Sequence, residues 1–301
     1  MKLSEARQRF IRHLTGERGL AEHTLNSYSR VLDADILELA QQRVDNVAQL
    51  NLPTFERLFV SWRRRGLGDA SLAQRLAAWR TFCGYAMREG WLHDNPASQL
   101  KAPRKGKRLP KNLDVDSISQ LLKLPSDDPL ALRDAAMMEL LYGSGLRLAE
   151  LVALDIDAIN PRHRELRVIG KGQKTRIVPY GKFAAEALQR WLPVRSQWLA
   201  GNLTELALFI SQRQQRISPR TVQQRLNFWG QQQGLTSNLH PHKLRHSFAS
   251  HMLESSGDLR AVQELLGHAN LSTTQVYTHL DFQHLAKVYD GAHPRARKKR
   301  D

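Results

Sequence analysis

Cysteine is almost absent from this sequence, and long hydrophobic runs are absent altogether. The 301 residues contain one cysteine, Cys83, which excludes an internal disulfide and any metal site built from several cysteines. No apolar stretch approaches the ~18 residues that a membrane-spanning helix needs, and the first residues lack the apolar segment of a signal peptide. Acidic residues are scarce beside basic ones, 29 against 45, so the formal net charge is +16. Together these features predict a cytosolic protein whose partner is a polyanion.

The overall composition is that of a folded protein. Hydrophobic residues make up 41% of the chain and charged residues 25%, which excludes a disordered, collagen-like or coiled-coil chain. The length favours two domains over one large one. Cys83 lies in an apolar pattern of helical period, so we expect a buried structural thiol rather than a nucleophile.

The first 95 residues show only helical patterns, because apolar positions recur at threes and fours without the alternation of a strand. We predict four helices in an all-α domain, over residues 4–18, 24–40, 53–65 and 71–89. Thr24 and Ser71 are the expected N-caps, and Pro53 is expected in a first helical turn. Three glycines are expected just past helix ends: Gly19, Gly66 and Gly90.

Residues 96–111 are the best candidate for a linker between two domains. Three prolines keep this segment extended, and six basic residues follow position 100 without an acid. A solvated linker is one interpretation, but contact with a phosphate backbone is favoured because the chain is positive on both sides, +6 over residues 1–105 and +10 over 106–301. The candidate contacts in this segment are Lys101, Arg104 and Lys105.

The region from 112 to 301 is predicted to be α-rich with one small β element. Alternating runs at 165–169 and 175–179 flank a glycine-bounded tip that carries Lys171, which predicts a β-hairpin. The remaining patterns are helical and include 116–124, 129–142, 218–230, 241–254, 258–266 and 272–280.

Residues 242–246 place histidine, arginine and histidine on one predicted helix, at positions that share a face. An exposed basic helix is the ordinary interpretation. His242 and His246 also have the spacing of a helical zinc pair, but Lys243 stands where that motif needs a glutamate, and Arg245 would place a fixed positive charge beside the cation. Zinc is therefore not expected.

Two further segments are ambiguous when each is considered alone. Ser272 and Gln275 form a capping-box pattern that puts Tyr277 in the second turn of a short helix, a few residues after His268. Glycines at 143 and 145 precede an amphipathic helix that begins around Arg147, and Glu150 follows three residues later. A core tyrosine, a turn histidine and an intrahelical Arg–Glu pair are their ordinary interpretations.

Taken together, six residues resemble the active-site series of the tyrosine recombinases, the phage integrase family. The matching motifs are Gly-Ser-Gly-Leu-Arg-Leu-Ala-Glu-Leu (143–151), Gly-Lys-Gly (170–172), His-Lys-Leu-Arg-His (242–246), Leu-Gly-His (266–268) and Tyr-Thr-His (277–279). They contribute Arg147, Lys171, His242, Arg245, His268 and Tyr277. Residues 245–249 and 271–275 look like the Xer branch, which resolves chromosome dimers, and 251–260, 281–285 and the basic tail after His293 favour one member of that branch over its paired partner.

The resemblance implies a role for each of these residues in cleaving DNA. Tyr277 would attack the phosphodiester and form a 3′-phosphotyrosyl bond that conserves the bond energy. Arg147 and Arg245 would stabilise the negative charge that grows on the phosphate oxygens. Lys171 would protonate the departing deoxyribose oxygen. His268 would donate a further hydrogen bond to the phosphate, His242 would help to take the tyrosine proton, and Glu150 would orient the site.

The resemblance also implies the architecture and the partners. We expect a mainly α, two-domain, C-shaped DNA clamp, with a helical core-binding (SAM-like) domain at 1–95 and a catalytic domain at 112–301. The protein would act with a XerD-like recombinase as a heterotetramer on double-stranded core-site DNA, activated by a cell-division DNA translocase, with residues 281–292 packed into a neighbouring protomer or into a helix of their own chain. No metal, nucleotide or other cofactor is expected.

Two other functions remain open at this stage, and so do the DNA contacts. One is a type IB topoisomerase-like nicking and closing enzyme, and the other is a DNA-binding architectural protein with an idle catalytic constellation. Candidate DNA contacts lie on the fourth predicted helix and on the helix near 218, where a solvated polar face is the alternative. They are Gln74, Arg75, Arg80, Arg220, Gln223 and Gln224.

Overall fold

The chain forms two compact units in a computed structural model, Met1–Leu109 and Pro110–Asp301. The structure describes residues 1–16, 22–102, 112–125, 127–170, 174–201, 204–235, 239–267 and 279–296, with backbone alone at 22–23, 279–284 and 287. Most of the proposed linker lies outside the described residues, as do Gly19, the hairpin tip and most of the helix predicted at 272–280.

The first unit is entirely helical in its described part, as predicted. Its helices are α1 (Leu3–Gly16), α2 (Glu22–Gln41), α3 (Leu52–Arg64), α4 (Asp69–Arg88) and the short α5 (Pro96–Gln99), with a 3-10 turn at Val47–Gln49.

Local sequence signals explain where these helices begin and end. Asn51 caps α3 by accepting a hydrogen bond from the Thr54 backbone at 3.0 Å, and Pro53 lies in the first turn as predicted. Gly66 and Gly90 follow α3 and α4 with φ of +75° and +72°, which confirms their predicted places.

The N-caps predicted at Thr24 and Ser71 are wrong. Both residues lie inside helices, because α2 and α4 begin two residues earlier, at Glu22 and Asp69. An acid in the first turn favours these earlier starts, since it interacts well with the partial positive charge at a helix N-terminus.

Aromatic side chains fill the core of the first unit around one buried carboxylate. Asp35 is fully buried and accepts hydrogen bonds from the indoles of Trp62 and Trp79, at 3.0 and 2.9 Å, and from Arg75. Cys83 is also buried, and burial raises the pKa of its thiol to about 12, which confirms a structural cysteine.

The second unit is α-rich around one three-stranded sheet. Its helices are α6 (Val115–Leu121), α7 (Pro129–Gly143), α8 (Leu148–Ala153), α9 (Lys182–Leu199), α10 (Pro219–Gln232), α11 (Pro241–Ser256), α12 (Leu259–Leu266) and α13 (His279–Ala292). The strands are β1 (Ile159–Asn160), β2 (Glu165–Ile169) and β3 (Thr175–Pro179), joined antiparallel in that order.

The predicted hairpin is confirmed residue for residue. Glu165 pairs with Pro179 and Ile169 with Thr175, so β2 and β3 span the two predicted runs. The sequence reading missed β1, which is two residues long and extends the sheet next to β2. No helix within the described ranges has both the length and the hydropathy needed to span a bilayer.

Candidate active site

The Gly-Ser-Gly turn after α7 sets the position of Arg147. Gly145 has φ of +58°, a conformation that glycine adopts most readily. The buried Ser144 hydroxyl donates to the Pro179 carbonyl at 3.1 Å, which ties the turn to the end of β3. Arg147 is the N-cap residue of α8. The helix begins at Leu148, one residue after Arg147, where the sequence predicted its start.

Glu150 is the centre of a cluster of charged side chains. Its Oε2 accepts from the Arg147 backbone N–H and its Oε1 from Arg147 Nη1, both at 2.8 Å. Arg176 on β3 donates through Nη1 and Nη2 to the same two oxygens, each at 2.9 Å. One carboxylate therefore holds two guanidinium groups and the start of α8.

The pKa of Glu150 is set by two opposing effects. Burial of the side chain, which is 4% exposed, raises this pKa. The hydrogen bonds and charges of Arg176 and Arg147 outweigh burial and lower it from 4.5 to about 2. Glu150 is thus ionised throughout the physiological range.

Arg245 approaches the same cluster from α11, where its side chain is buried. Its Nη1 donates to the Gly145 carbonyl and its Nη2 to the Leu266 carbonyl at 2.6 Å. The same Nη1 lies 3.9 Å from Glu150 Oε2. Burial and the charges of Arg147 and Arg176 lower the pKa of Arg245 to about 10, which leaves it charged at neutral pH.

The C-terminal end of α12 joins the two arginines of the predicted clamp. Arg147 Nη2 donates to the Gly267 carbonyl at 3.3 Å, next to the Leu266 carbonyl that Arg245 holds. The structure therefore brings Arg147, Glu150 and Arg245 together, as the resemblance implied. Three guanidinium groups face one carboxylate, so the cluster carries an excess of two positive charges, which suits a phosphate whose negative charge grows during reaction.

His242 lies one helical turn before Arg245, and its side chain is exposed. Pro241 in the first turn and His240 as the N-cap residue define the start of this helix. In the described part of the chain, no three histidine, cysteine or acidic side chains are grouped so that they could hold a metal ion. Lys171, His268 and Tyr277 lie outside the described residues, so their predicted roles stay predictions.

Arg176 was missed in the sequence, although a signal for it exists. Alternation along β3 places Arg176 and Val178 on the buried face and Ile177 on the exposed one. An arginine at an inward position needs buried acceptors, such as an acid or backbone carbonyls, as partners. The pattern therefore indicates that Arg176 has a buried partner. It does not identify that partner as Glu150, which is 26 residues away.

The candidate DNA contacts on α4 bind within their own unit. Gln74 donates to the Ser27 hydroxyl at 2.6 Å, and Arg75 pairs with the buried Asp35. Arg80 donates to the carbonyls of α5 and its C-cap, Ala97 at 3.2 Å and Leu100 at 2.5 Å. These side chains fasten the helices of the unit, and their contact with DNA stays a prediction.

The candidates on α10 are placed differently. Arg220 and Gln224 are exposed, and Gln223 is half-buried. The buried Asp134 on α7 anchors the other side of the helix by accepting from the indole of Trp229 at 2.8 Å and from Arg225. The exposed face of α10 is therefore presented from a fixed helix. Lys101 is exposed, and Arg104 and Lys105 lie outside the described residues.

Comparison with known protein families identifies both units. Residues 111–284 match the phage integrase family, and residues 8–90 match its N-terminal SAM-like domain. The chain belongs to the phage integrase family, the tyrosine recombinases. Within it the chain is similar to tyrosine recombinase XerC. It is 52% identical over 295 residues to XerC of Haemophilus influenzae, covering 98% of this chain and 99% of the relative.

A second relative and two solved structures extend the comparison. XerC of Alcanivorax borkumensis is 53% identical over 294 residues, or 97% of this chain and 94% of that protein. XerH bound to a palindromic difH substrate has a TM-score of 0.68 at 21% identity, covering 91% of this chain and 81% of that one. Lambda integrase residues 75–356 bound to DNA has a TM-score of 0.68 at 19% identity, covering 92% and 95%. The predicted family, Xer branch and mainly α fold are confirmed.

Proposed function

We propose that this protein is a site-specific DNA recombinase that cleaves and rejoins double-stranded DNA through a 3′-phosphotyrosyl bond on Tyr277. The observation that carries the proposal is the Arg147–Glu150–Arg245 cluster, with its excess positive charge, in a chain about half identical to XerC over nearly its whole length.

The positions of Arg147 and Arg245 support the proposed stabilisation of the transition state. In the proposed reaction, the Tyr277 hydroxyl attacks phosphorus, its proton leaves with the help of His242, and the bond to the 5′ oxygen of the next nucleotide breaks. Lys171 supplies a proton to that oxygen, which leaves as a 5′-hydroxyl. Negative charge grows on the non-bridging oxygens, where the guanidinium groups of Arg147 and Arg245 and a hydrogen bond from His268 stabilise it.

Rejoining is the same reaction in reverse, with a 5′-hydroxyl from another strand. One phosphodiester is exchanged for another, so the bond energy is conserved in the protein–DNA link. The direction of strand exchange then depends on how the protomers assemble on the DNA. The similarity to XerC supports a heterotetramer with a XerD-like recombinase that resolves chromosome dimers for partition at cell division, in the cytoplasm at the nucleoid, with a cell-division DNA translocase as activator.

The C-terminal segment packs on its own chain in the described residues. Tyr289 of α13 is buried, and Arg295 forms an ion pair with the buried Glu139 of α7. Exchange of residues 281–292 with a neighbouring protomer therefore stays a proposal, and it requires these contacts to be made on the neighbour.

Trapping of a covalent complex tests the proposed function. Wild-type protein and Tyr277→Phe are incubated with a core-site duplex nicked beside the scissile phosphate, with and without a XerD-like recombinase, and run on a denaturing gel. We expect an adduct with the wild type and none with Tyr277→Phe, although both bind the duplex, because the substitution removes only one hydroxyl.

The other outcomes distinguish the alternatives. An adduct with Tyr277→Phe would place the nucleophile elsewhere. An adduct that forms without a partner recombinase and without synapsis of two sites would favour a topoisomerase-like enzyme. Tight binding without any adduct, even with the partner present, would favour a non-catalytic DNA-binding protein.

A further inference from the structure

We propose that Arg176 is a positioning residue of the recombinase site, which acts through Glu150 to keep the guanidinium group of Arg147 available to the scissile phosphate. The inference rests on the function proposed above. It is carried by the paired contacts on Glu150 and by the packing of Arg176 beside two of the motifs.

The first observation is how Arg176 meets Glu150. The arginine side chain is 7% exposed and the glutamate 4%, and Arg176 donates from Nη1 to Oε1 and from Nη2 to Oε2, each at 2.9 Å. Such a forked pair fixes the orientation of a carboxylate as well as its charge. Arg147 binds the same two oxygens through its backbone N–H and Nη1.

The second observation is how the charge of Arg147 is shared. Arg147 is 37% exposed, so it is the member of the cluster that is open to a ligand. Glu150 and a phosphate would compete for its guanidinium group. Because Arg176 already pairs with the carboxylate, Glu150 orients Arg147 without cancelling its charge. Without Arg176, the carboxylate would pair more fully with Arg147 and would offset more of the positive charge that a phosphate would meet.

The third observation is the position of Arg176 between the other motifs. A Cβ at Gly267, just before His268, would lie 3.1 Å from Cζ and Nε of Arg176. A Cβ at Gly170, just before Lys171, would lie 3.3 Å from Nη1. Arg176 therefore packs against the backbone that leads into two further predicted active-site residues.

The fourth observation is the environment of Arg176 Nε. It is buried and has no hydrogen-bond partner among the described residues. A buried donor without a partner opposes folding, so stability alone would not select this arrangement. It is consistent with a side chain that is positioned for the site.

The test measures single-turnover cleavage of the nicked duplex by Arg176→Met and Arg176→Lys. Arg176→Lys retains a charge opposite Glu150, so it keeps the experiment informative if the methionine variant does not fold. Arg167→Met is the matched control, because Arg167 lies on the neighbouring strand and its side chain forms an exposed ion pair with Asp157. Duplex affinity and thermal unfolding are measured for each protein.

We expect unchanged duplex binding and slower cleavage for both variants, while Arg167→Met cleaves at the wild-type rate. The loss should be about 10-fold or more for Arg176→Lys, which cannot reproduce the fork. The loss of cleavage rate in Arg176→Met should approach, without exceeding, the loss in Arg147→Ala. Removal of one transition-state donor costs about 100- to 1,000-fold in rate.

A double-mutant cycle separates positioning from general structural damage. If Arg176 acts through Arg147, Arg147→Ala with either Arg176 substitution cleaves as slowly as Arg147→Ala alone. Effects that multiply, or wild-type cleavage by Arg176→Lys and Arg176→Met, would overturn the inference. If wild-type protein forms no adduct, or Tyr277→Phe still forms one, the proposed function fails and the inference with it. That result is distinct from a failed cycle in an active enzyme.

Discussion

Glu150→Gln should destabilise the protein in a pH-dependent way that reports directly on the cluster. The substitution keeps the shape of the side chain and removes its charge. It also replaces one acceptor oxygen with an NH2 group that would face donors, since both oxygens of Glu150 accept from Arg147 and Arg176. Two buried or half-buried guanidinium groups would lose their counter-charge.

The magnitude follows from the pKa of the carboxyl. Interactions in the folded state lower this pKa from 4.5 to about 2. At ~1.4 kcal/mol for each tenfold change in acidity, ionised Glu150 contributes about 3 kcal/mol at pH 7. The side chain is 4% exposed, so solvent screening reduces this figure little.

The sign of the pH dependence is fixed by the direction of the shift. A lowered folded-state pKa gives stabilisation that is complete above the unfolded value of 4.5 and is lost as pH falls through the folded value of about 2. The gap in unfolding free energy between wild type and Glu150→Gln should therefore be about 3 kcal/mol at pH 7 and about 1.5 kcal/mol at pH 3.

Calorimetric unfolding across this pH range is the measurement. For a unit of this size, each kcal/mol moves Tm by about 2–4 °C, so Glu150→Gln should melt about 6–12 °C below wild type at pH 7. Asp157→Asn is the matched control, because its exposed ion pair with Arg167 should contribute at most about 1 kcal/mol. A gap that is constant or larger in acid, or an equal effect of Asp157→Asn, would refute the reasoning.

Two more predictions concern the turn at the site and the lone cysteine. Gly145→Ala should destabilise the protein by about 2 kcal/mol or more, because φ is +58° and the new Cβ would lie 2.5 Å from Phe248 Cδ1. It should also slow cleavage, because Arg245 donates to the Gly145 carbonyl. Gly143→Ala, whose Cβ would lie 3.8 Å from Tyr289 Oη, is the control, and equal Tm values for the two variants would contradict this account. Cys83 should resist thiol reagents at pH 8 until the protein is unfolded, because burial raises its pKa to about 12, and rapid labelling of the native protein would show that the thiol is accessible.

The secondary structure was largely predictable because its signals are local. The pattern of apolar residues located the helices from α1 to α4, and the glycine-flanked alternation located the hairpin to the residue. Helix starts were less predictable. Thr24 and Ser71 have the chemistry of N-caps, but each helix begins two residues earlier at an acidic residue, and residue preference alone does not decide between two neighbouring starts.

The site was predictable only where motif residues are close in sequence or belong to a known series. Arg147 and Glu150 share one motif, and Arg245 came from the resemblance. Arg75 and Arg176 show the limit. Each is an arginine on a regular element, and its partner is an acid 40 or 26 residues away that only tertiary packing brings near. A polar helix face therefore suggested DNA contact for Arg75, although its guanidinium pairs with Asp35.

The balance of charge distinguishes the cluster around Asp35 from the cluster around Glu150. Around Asp35, Arg65 and Arg75 are matched by Asp35 and Glu38, and indole donors complete the hydrogen bonds. Around Glu150, three guanidinium groups meet one carboxylate, and Arg147 remains 37% exposed. Folding gains nothing from collecting uncompensated positive charge at one point, since burial and then the like charges of Arg147 and Arg176 lower the pKa of Arg245. In the proposed reaction a bound phosphate would remove that repulsion, so the excess charge that weakens the unliganded cluster would favour DNA at the proposed site.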